Sequence, residues 1–269
     1  MTKVLLIGSS GFLGKALYEA LVKSFQLTPT HAKNAVFSES KPYDFFTDEI
    51  CLPLEKYTPE MVVMAAAVEK DVDFKVFASR VDGFVDVCKS CYLVYLSSDA
   101  IFDGHKGLYT EDDVPKPITP YGHNLAYFEE QIQAKVAKYL IVRPSYLYGF
   151  SQGQLDSRLK KTKLLLEAGE TVEYFDDMFK SPLEVNQAAR IITRLIELNQ
   201  QGIIHVAGER TSIYEFHHEA MQALKVSVKN LDPVQMPKNT EFPRDTSLNI
   251  SKMTHLVEES LSIAKVLKA

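Results

Sequence analysis

Residues 3–25 read KVLLIGSSGFLGKALYEALVKSF. A short apolar run ends in glycine. Gly8, Gly11 and Gly14 follow at three-residue spacing, and Leu13, Ala16, Leu17, Ala20 and Leu21 then fall on one face of a helix. A strand that turns this tightly into an amphipathic helix needs a covering layer on the strand and a partner for the apolar helix face. That pairing is the start of a layered α/β fold.

The alternation continues along the chain. QLTPTHA is a weaker second strand, EMVVMAAAV (60–68) a strong one, and residues 73–89 read as a helix. YLVYLSS (92–98) is a strand, followed by a loop rich in glycine and proline, a helix from about Tyr121 to Val136, and the strand YLIVRPS (139–145). Strands that are apolar throughout and separated by helices predict a parallel sheet covered on both faces. Farther on, residues 159–169, 183–198 and 212–224 read as amphipathic helices, 202–208 as a strand, and the tail from 250 as helical. The expected fold is α/β, a doubly wound parallel sheet (Rossmann-like) with a small C-terminal substrate lobe. Residues 1–145 form the dinucleotide-binding domain with 183–206 packing back onto it, and 146–182 and 207–269 form the lobe.

The 269 residues are 46% hydrophobic and 24% charged with a net charge of −5, which argues against a nucleic-acid partner. The longest apolar run, 61–68, falls far short of the roughly 20 residues that cross a bilayer. The N-terminal run is too short for a signal peptide. These features predict a cytoplasmic protein with no membrane partner. Cys88 and Cys91 form a C-x-x-C, but with Cys51 as the only other cysteine they read as small packed residues rather than a metal or redox pair. His217 and His218 are adjacent and make a poor chelate on a helix. No G-x-S-x-G elbow is present, and no metal is expected.

The glycine loop has a chemical reading. Its backbone lets a pyrophosphate approach closely, and the helix that follows offers unpaired N–H groups at its positive end. Gly8, Ser10, Gly11, Phe12, Leu13 and Gly14 are therefore expected to hold a dinucleotide, with Ala65, Ala66 and Ala67 at the end of the fourth strand facing it. The spacing G-x-x-G-x-x-G is that of the short-chain dehydrogenase/reductase superfamily. No acid ends the second strand to hold a ribose 2′-hydroxyl. His31 and Lys33 lie there instead, which favours NADP, with NAD as the other candidate.

The stretch 92–130 is the most informative. It contains Ser97-Ser98-Asp99-Ala100-Ile101-Phe102-Asp103-Gly104, then Tyr121-Gly122, then Glu129. It resembles the dTDP-4-dehydrorhamnose reductase family, the sugar-nucleotide branch of the extended short-chain reductases, which carries S-T-D-Y-V-F-D-G followed by Y-G-x-x-K. LIVRPSYLYG, DDMFKSPLEV, GIIHVAGERTSIYEF and FPRDTSL extend the resemblance over nearly the whole chain. It implies NAD(P)H-dependent reduction of a 4-keto nucleotide-linked sugar. Ser98 would bind the ketone oxygen and Tyr121 would donate the proton and touch the cofactor. Ser98, Asp99, Arg143, Asp177 and Arg244 would face the substrate.

Several positions depart from the pattern. Leu125 stands where the lysine four residues after the tyrosine would lower the phenol pKa and hold the nicotinamide ribose. His123 points to the other side of the helix; Lys106 and Lys116 lie in the preceding loop, from which one could fold back. Ala100 replaces a tyrosine, Lys180 a glycine and Leu183 a threonine. Phe242 takes the place of an arginine, with Arg244 two residues later. Two functions stay open: a working reductase with a substitute for the lysine, or a silent dinucleotide-binding homologue that regulates a partner enzyme. The regulatory subunit of methionine adenosyltransferase is the precedent for the second within the resemblance. A homodimer or a complex with a partner enzyme is compatible with either.

Overall fold

The computed structural model describes residues 1–240, 242–258, 263 and 267. Its main sheet has seven strands: β1 (Lys3–Ile7), β2 (Gln26–His31), β3 (Lys41–Pro42), β4 (Met61–Met64), β5 (Tyr92–Leu96), β6 (Tyr139–Pro144) and β7 (Gly202–Val206). They lie in the order β7-β6-β5-β4-β1-β2-β3, every neighbouring pair parallel. The order turns back at β1, which pairs with β2 on one side and β4 on the other. In open α/β sheets the ligand crevice lies beyond the carboxyl ends of the strands at such a reversal.

The sheet is sandwiched because its central strands have no polar face. Val4 and Leu6 of β1, Met61 and Val63 of β4, and Tyr92 and Val94 of β5 pack into one core with α1 (Phe12–Leu21) and α6 (Val185–Glu197). The alternate residues Leu5, Ile7, Val62, Met64, Leu93 and Tyr95 pack into the other, with α3 (Phe74–Val87) and α4 (Pro120–Lys135). Each strand thus sends successive side chains into opposite cores. Three further helices are α2 (Leu52–Tyr57), α5 (Ser157–Glu167) and α7 (Ile213–Ala223), and α8 (Ser251–Leu256) follows. A third core gathers Leu159 and Leu166 of α5, Phe216, Ala220 and Met221 of α7, and Tyr148, Val172 and Leu231.

The helices expected from periodicity form within a few residues of the expected bounds, because side-chain oxygens mark their starts. Asp73 caps α3, Thr119 caps α4, Asp156 caps α5 and Ser212 closes a capping box with Glu215 on α7. Two expectations change. The fourth strand stops at Met64, so Ala65, Ala66 and Ala67 are loop, not strand. The chain leaves the sheet there because Gly8 packs directly on Ala66: a Cβ on Gly8 would lie 2.5 Å from the Ala66 nitrogen. The segment 32–59, unread in the sequence, supplies β3 and α2. The helical tail is seen only as α8, and most of the chain beyond 258 lies outside the described residues.

No helix among the described residues is long and apolar enough to cross a membrane. Cys88 and Cys91 are packed residues, 0% and 8% exposed, and no cluster of metal-ligating side chains occurs among the described residues. His217 is buried, stacked on Tyr174 with ring centroids 3.8 Å apart.

Candidate active site

A cleft of ≈ 690 Å³ opens at the carboxyl ends of β1, β4, β5 and β6. On the β1 side it is lined by Phe12 and Leu13, the first residues of α1, directly after the glycine loop. Gly8 has φ +88°, and a Cβ on Gly14 would lie 2.0 Å from the Gly8 carbonyl oxygen. Both glycines are therefore required by the protein's own packing. Gly11 is different: it is exposed, and a Cβ there would meet nothing closer than the Gly8 oxygen at 3.4 Å and the Ala65 oxygen at 4.0 Å. It is also the N-cap of α1, with no side chain capping the helix. The first turn thus presents free N–H groups at the positive end of a ten-residue helix, bordered by Phe12 and Leu13 on the cleft wall.

At the wall beyond β5, the Ser97 hydroxyl is buried without a hydrogen-bond partner among the described residues. A buried hydroxyl without a partner costs about 1–3 kcal/mol, a cost that a ligand on this wall would relieve. Open glycine, uncapped helix and orphan hydroxyl together fit a dinucleotide lying from α1 across to β5. Ser10 lies in the same loop. His31 ends β2 with Nδ1 2.9 Å from Ser40 Oγ, and Ser40 in turn lies 3.4 Å from Ser9 Oγ. Lys33 is exposed in the loop beyond.

The structure brings Ser98 and Tyr121 together. Ser98 leaves β5 extended and caps the short turn Asp99–Ile101, accepting from Ala100 N at 3.3 Å. The Thr119 hydroxyl accepts from Gly122 N at 3.1 Å and starts α4. Gly122 allows α4 to sit hard on that turn, because a Cβ there would be 2.3 Å from the Ala100 oxygen. Tyr121 in the first turn therefore meets Ser98. Burial pushes the Tyr121 phenol well above its ordinary pKa; the carboxylates of Glu69 and Asp99 push it the same way, and the hydrogen bond with Ser98 only partly opposes them. At neutral pH the group is a phenol.

Asp99 anchors this corner. It accepts from Ser98 Oγ at 3.0 Å, Ser145 Oγ at 3.1 Å, Thr246 Oγ1 at 2.5 Å and Lys180 Nζ at 2.8 Å. Burial would raise its carboxyl, but the Lys180 charge and these hydrogen bonds outweigh it and hold the group below the usual carboxylate range. The glycine-to-lysine departure at 180 thus lands in the cleft wall as the counter-ion of Asp99.

Three expected substrate contacts lie elsewhere. Arg143 is 1% exposed and forks onto Glu129, with Nε 3.0 Å from Oε1 and Nη2 2.6 Å from Oε2. It is corrected here from a substrate contact to a core ion pair, because its side chain leaves β6 on the face covered by α4. Asp177 and Arg244 pair with each other, Asp177 also accepting from Met236 N at 2.8 Å, and neither lines the cleft. Phe242 is 67% exposed.

Leu125 is 1% exposed within the α3–α4 core, with Phe128 and Ile132 at 0%. Of the loop lysines, Lys106 pairs with Asp113 at 2.6 Å, and neither it nor Lys116 lines the cleft. Sequence reading missed the residues that do flank the phenol. Glu69 is 2% exposed, accepts from Tyr95 OH at 2.7 Å, and is raised by burial to about 7. The Lys70 ammonium lies 5.5 Å from the Tyr121 ring centroid. Tyr146 and Arg158 form the opposite wall, the guanidinium stacked 3.9 Å from the ring centroid. The available signal was position: Glu69-Lys70 follow the carboxyl end of β4 as Ser97-Ser98 follow that of β5.

Known proteins resemble the chain along its length. A family model described as the RmlD substrate binding domain matches residues 1–263. The methionine adenosyltransferase 2 subunit beta of Rattus norvegicus is 25% identical, the match covering 94% of this chain and 82% of that protein. A hypothetical dTDP-4-dehydrorhamnose reductase from Sulfolobus tokodaii is 26% identical with a TM-score of 0.83, covering 97% and 96% of the two chains. The dTDP-4-dehydrorhamnose reductase of Bacillus anthracis, solved with NADP, shares the fold at 23% identity and a TM-score of 0.81, covering 100% and 98%. With the family model spanning nearly every residue, the chain belongs to the RmlD substrate binding domain family.

Proposed function

We propose that this protein is an NAD(P)H-dependent reductase of a 4-keto sugar carried on a nucleotide diphosphate. The observation that carries the reading is the meeting of Ser98 and Tyr121 in one cleft with the uncapped start of α1, into which the glycine loop leads. Gly8, Ser10, Gly11, Phe12, Leu13, Gly14 and Ala65–Ala67 would hold the dinucleotide, NADP in preference to NAD because no acid ends β2. When bound, the nicotinamide supplies hydride.

The chain's own groups do the rest. The Ser98 hydroxyl and the Tyr121 phenol bracket the ketone oxygen, and Tyr121 passes its proton to that oxygen as it becomes an alkoxide. Asp99 holds Ser98 in place, with Lys180 balancing its charge. A phenol that stays protonated at neutral pH suits reduction rather than oxidation. Residues 146–182 and 207–269 act as the substrate lobe, with Tyr146, Arg158 and Lys180 facing the cleft.

A second reading, a silent homologue that binds a partner enzyme, is favoured by two observations: position 125 is a buried leucine, and the similar chains include a methionine adenosyltransferase subunit. The test mixes the protein, NADPH and dTDP-4-dehydrorhamnose and follows cofactor absorbance. Turnover that drops by a factor of about 10²–10⁴ in Tyr121→Phe is expected. Tight dinucleotide binding with no turnover removes the reductase and leaves the second reading.

A further inference from the structure

Helix α4 carries no cation beside the phenol, and position 125 is sealed in the core. The phenol meanwhile has the carboxyl groups of Glu69 and Asp99 as neighbours. Proton release from such a group is opposed by burial and by both anions. A cation that comes and goes with the ligand would offset this.

Three cationic side chains line the cleft: Lys70, Arg158 and Lys180. Lys180 is committed to Asp99 and Thr246, at 2.8 and 2.6 Å. Arg158 is stacked on Tyr146 and donates to the Leu147 carbonyl. Lys70 is exposed and makes no hydrogen bond or ion pair among the described residues; its ammonium lies over the Tyr121 ring and its charge acts on the neighbouring Glu69 carboxyl. It borders both the main cleft and a cavity of ≈ 550 Å³ that Glu69 and Tyr121 also line.

Its backbone, by contrast, is pinned. Asn124, three residues on from Tyr121, donates Nδ2 to the Glu69 carbonyl at 2.9 Å, and Tyr95 holds the Glu69 carboxyl. A fixed anchor with a free four-carbon stem lets the ammonium reach an incoming polar ligand while staying beside the phenol.

We propose that Lys70 supplies, from the loop between β4 and α3, the cation that helix α4 lacks: it binds the dinucleotide and keeps a positive charge beside Tyr121 while the phenol gives up its proton. This rests on the reductase reading for the reaction, and on the dinucleotide cleft alone for the binding. Glu69, buried behind it, keeps the loop in register.

The experiment titrates the full chain with NADPH, following fluorescence, for the unsubstituted protein, Lys70→Met, Lys70→Arg and the surface control Lys106→Met. Lys70→Met is expected to bind about tenfold more weakly, equivalent to about 1.4 kcal/mol, with an unchanged melting temperature. Lys70→Arg should bind within about twofold of the unsubstituted chain, and Lys106→Met should not differ. Equal NADPH affinity in Lys70→Met, or a loss matched by Lys106→Met, overturns the proposal. If the unsubstituted chain binds NADPH, Lys70→Met weakens it and the keto sugar is still not turned over, only the reductase reading fails. If the unsubstituted chain does not bind NADPH, both fall.

Discussion

Lys180 Nζ sits 2.8 Å from Asp99 Oδ2, joining the short strand Phe179–Lys180 to the strand end that carries Ser98. Their side chains are 14% and 6% exposed. The pair therefore works in a low-dielectric setting, where losing one partner strands the other charge.

Lys180→Met should destabilise the fold by about 3 kcal/mol at pH 7. The Asp99 carboxyl is held below its ordinary pKa, so its contribution exists above the unfolded value near 4 and fades as pH falls through the folded one. Urea denaturation at pH 7 should separate the variant from the unsubstituted chain, and the gap should narrow in acid. A gap that stays constant with pH would contradict the pairing.

Glu69 titrates the other way. Burial raises its carboxyl to about 7, so the folded protein binds the proton more tightly than the unfolded chain. The stabilisation is complete below about pH 4.5 and is lost as pH rises toward 7; a shift of this size amounts to roughly 3 kcal/mol. Glu69→Gln should remove that slope. Denaturation midpoints taken from pH 4.5 to 8 check it, the variant gaining on the unsubstituted chain as pH rises.

Arg143 and Glu129 are both 1% exposed and bonded to each other. Arg143→Met or Glu129→Gln alone should cost about 3–5 kcal/mol, while the double variant costs less than the sum. Any residual activity should keep its KM for the sugar, since neither group faces the cleft. A selective rise in KM would return Arg143 to the substrate.

The three glycines of the first loop should separate by role. Gly8→Ala and Gly14→Ala force a Cβ to 2.5 and 2.0 Å from backbone atoms and should unfold or strongly destabilise the protein. Gly11→Ala meets nothing closer than 3.4 Å and should fold with an ordinary melting temperature, yet bind NADPH more weakly. Thermal melts and dinucleotide titrations on the same three variants decide it.

Much of the site could be read from order along the chain. Gly8, Gly11 and Gly14 between strand and helix, Ser98 at a strand end, and Tyr121 after Thr119-Pro120 all sit where local geometry alone would place them. Arg143, Asp177 and Arg244 do not line the cleft, because a family motif records which residues occur, not which face of a strand or turn they leave from. Arg143 turned toward α4, and Asp177 found Arg244 instead of the cleft.

The alternation of apolar strands and capped amphipathic helices determined the doubly wound sheet, because burial on both faces and the 3.6-residue period are short-range properties of the chain. Which charges meet around the phenol was settled only by folding. Lys180 is 81 residues from Asp99 and Thr246 is 147 from it. Lys70 reaches Tyr121 from a loop on a different strand. Contacts at such separations depend on how sheet, helix and lobe pack, and no spacing within a single segment encodes them.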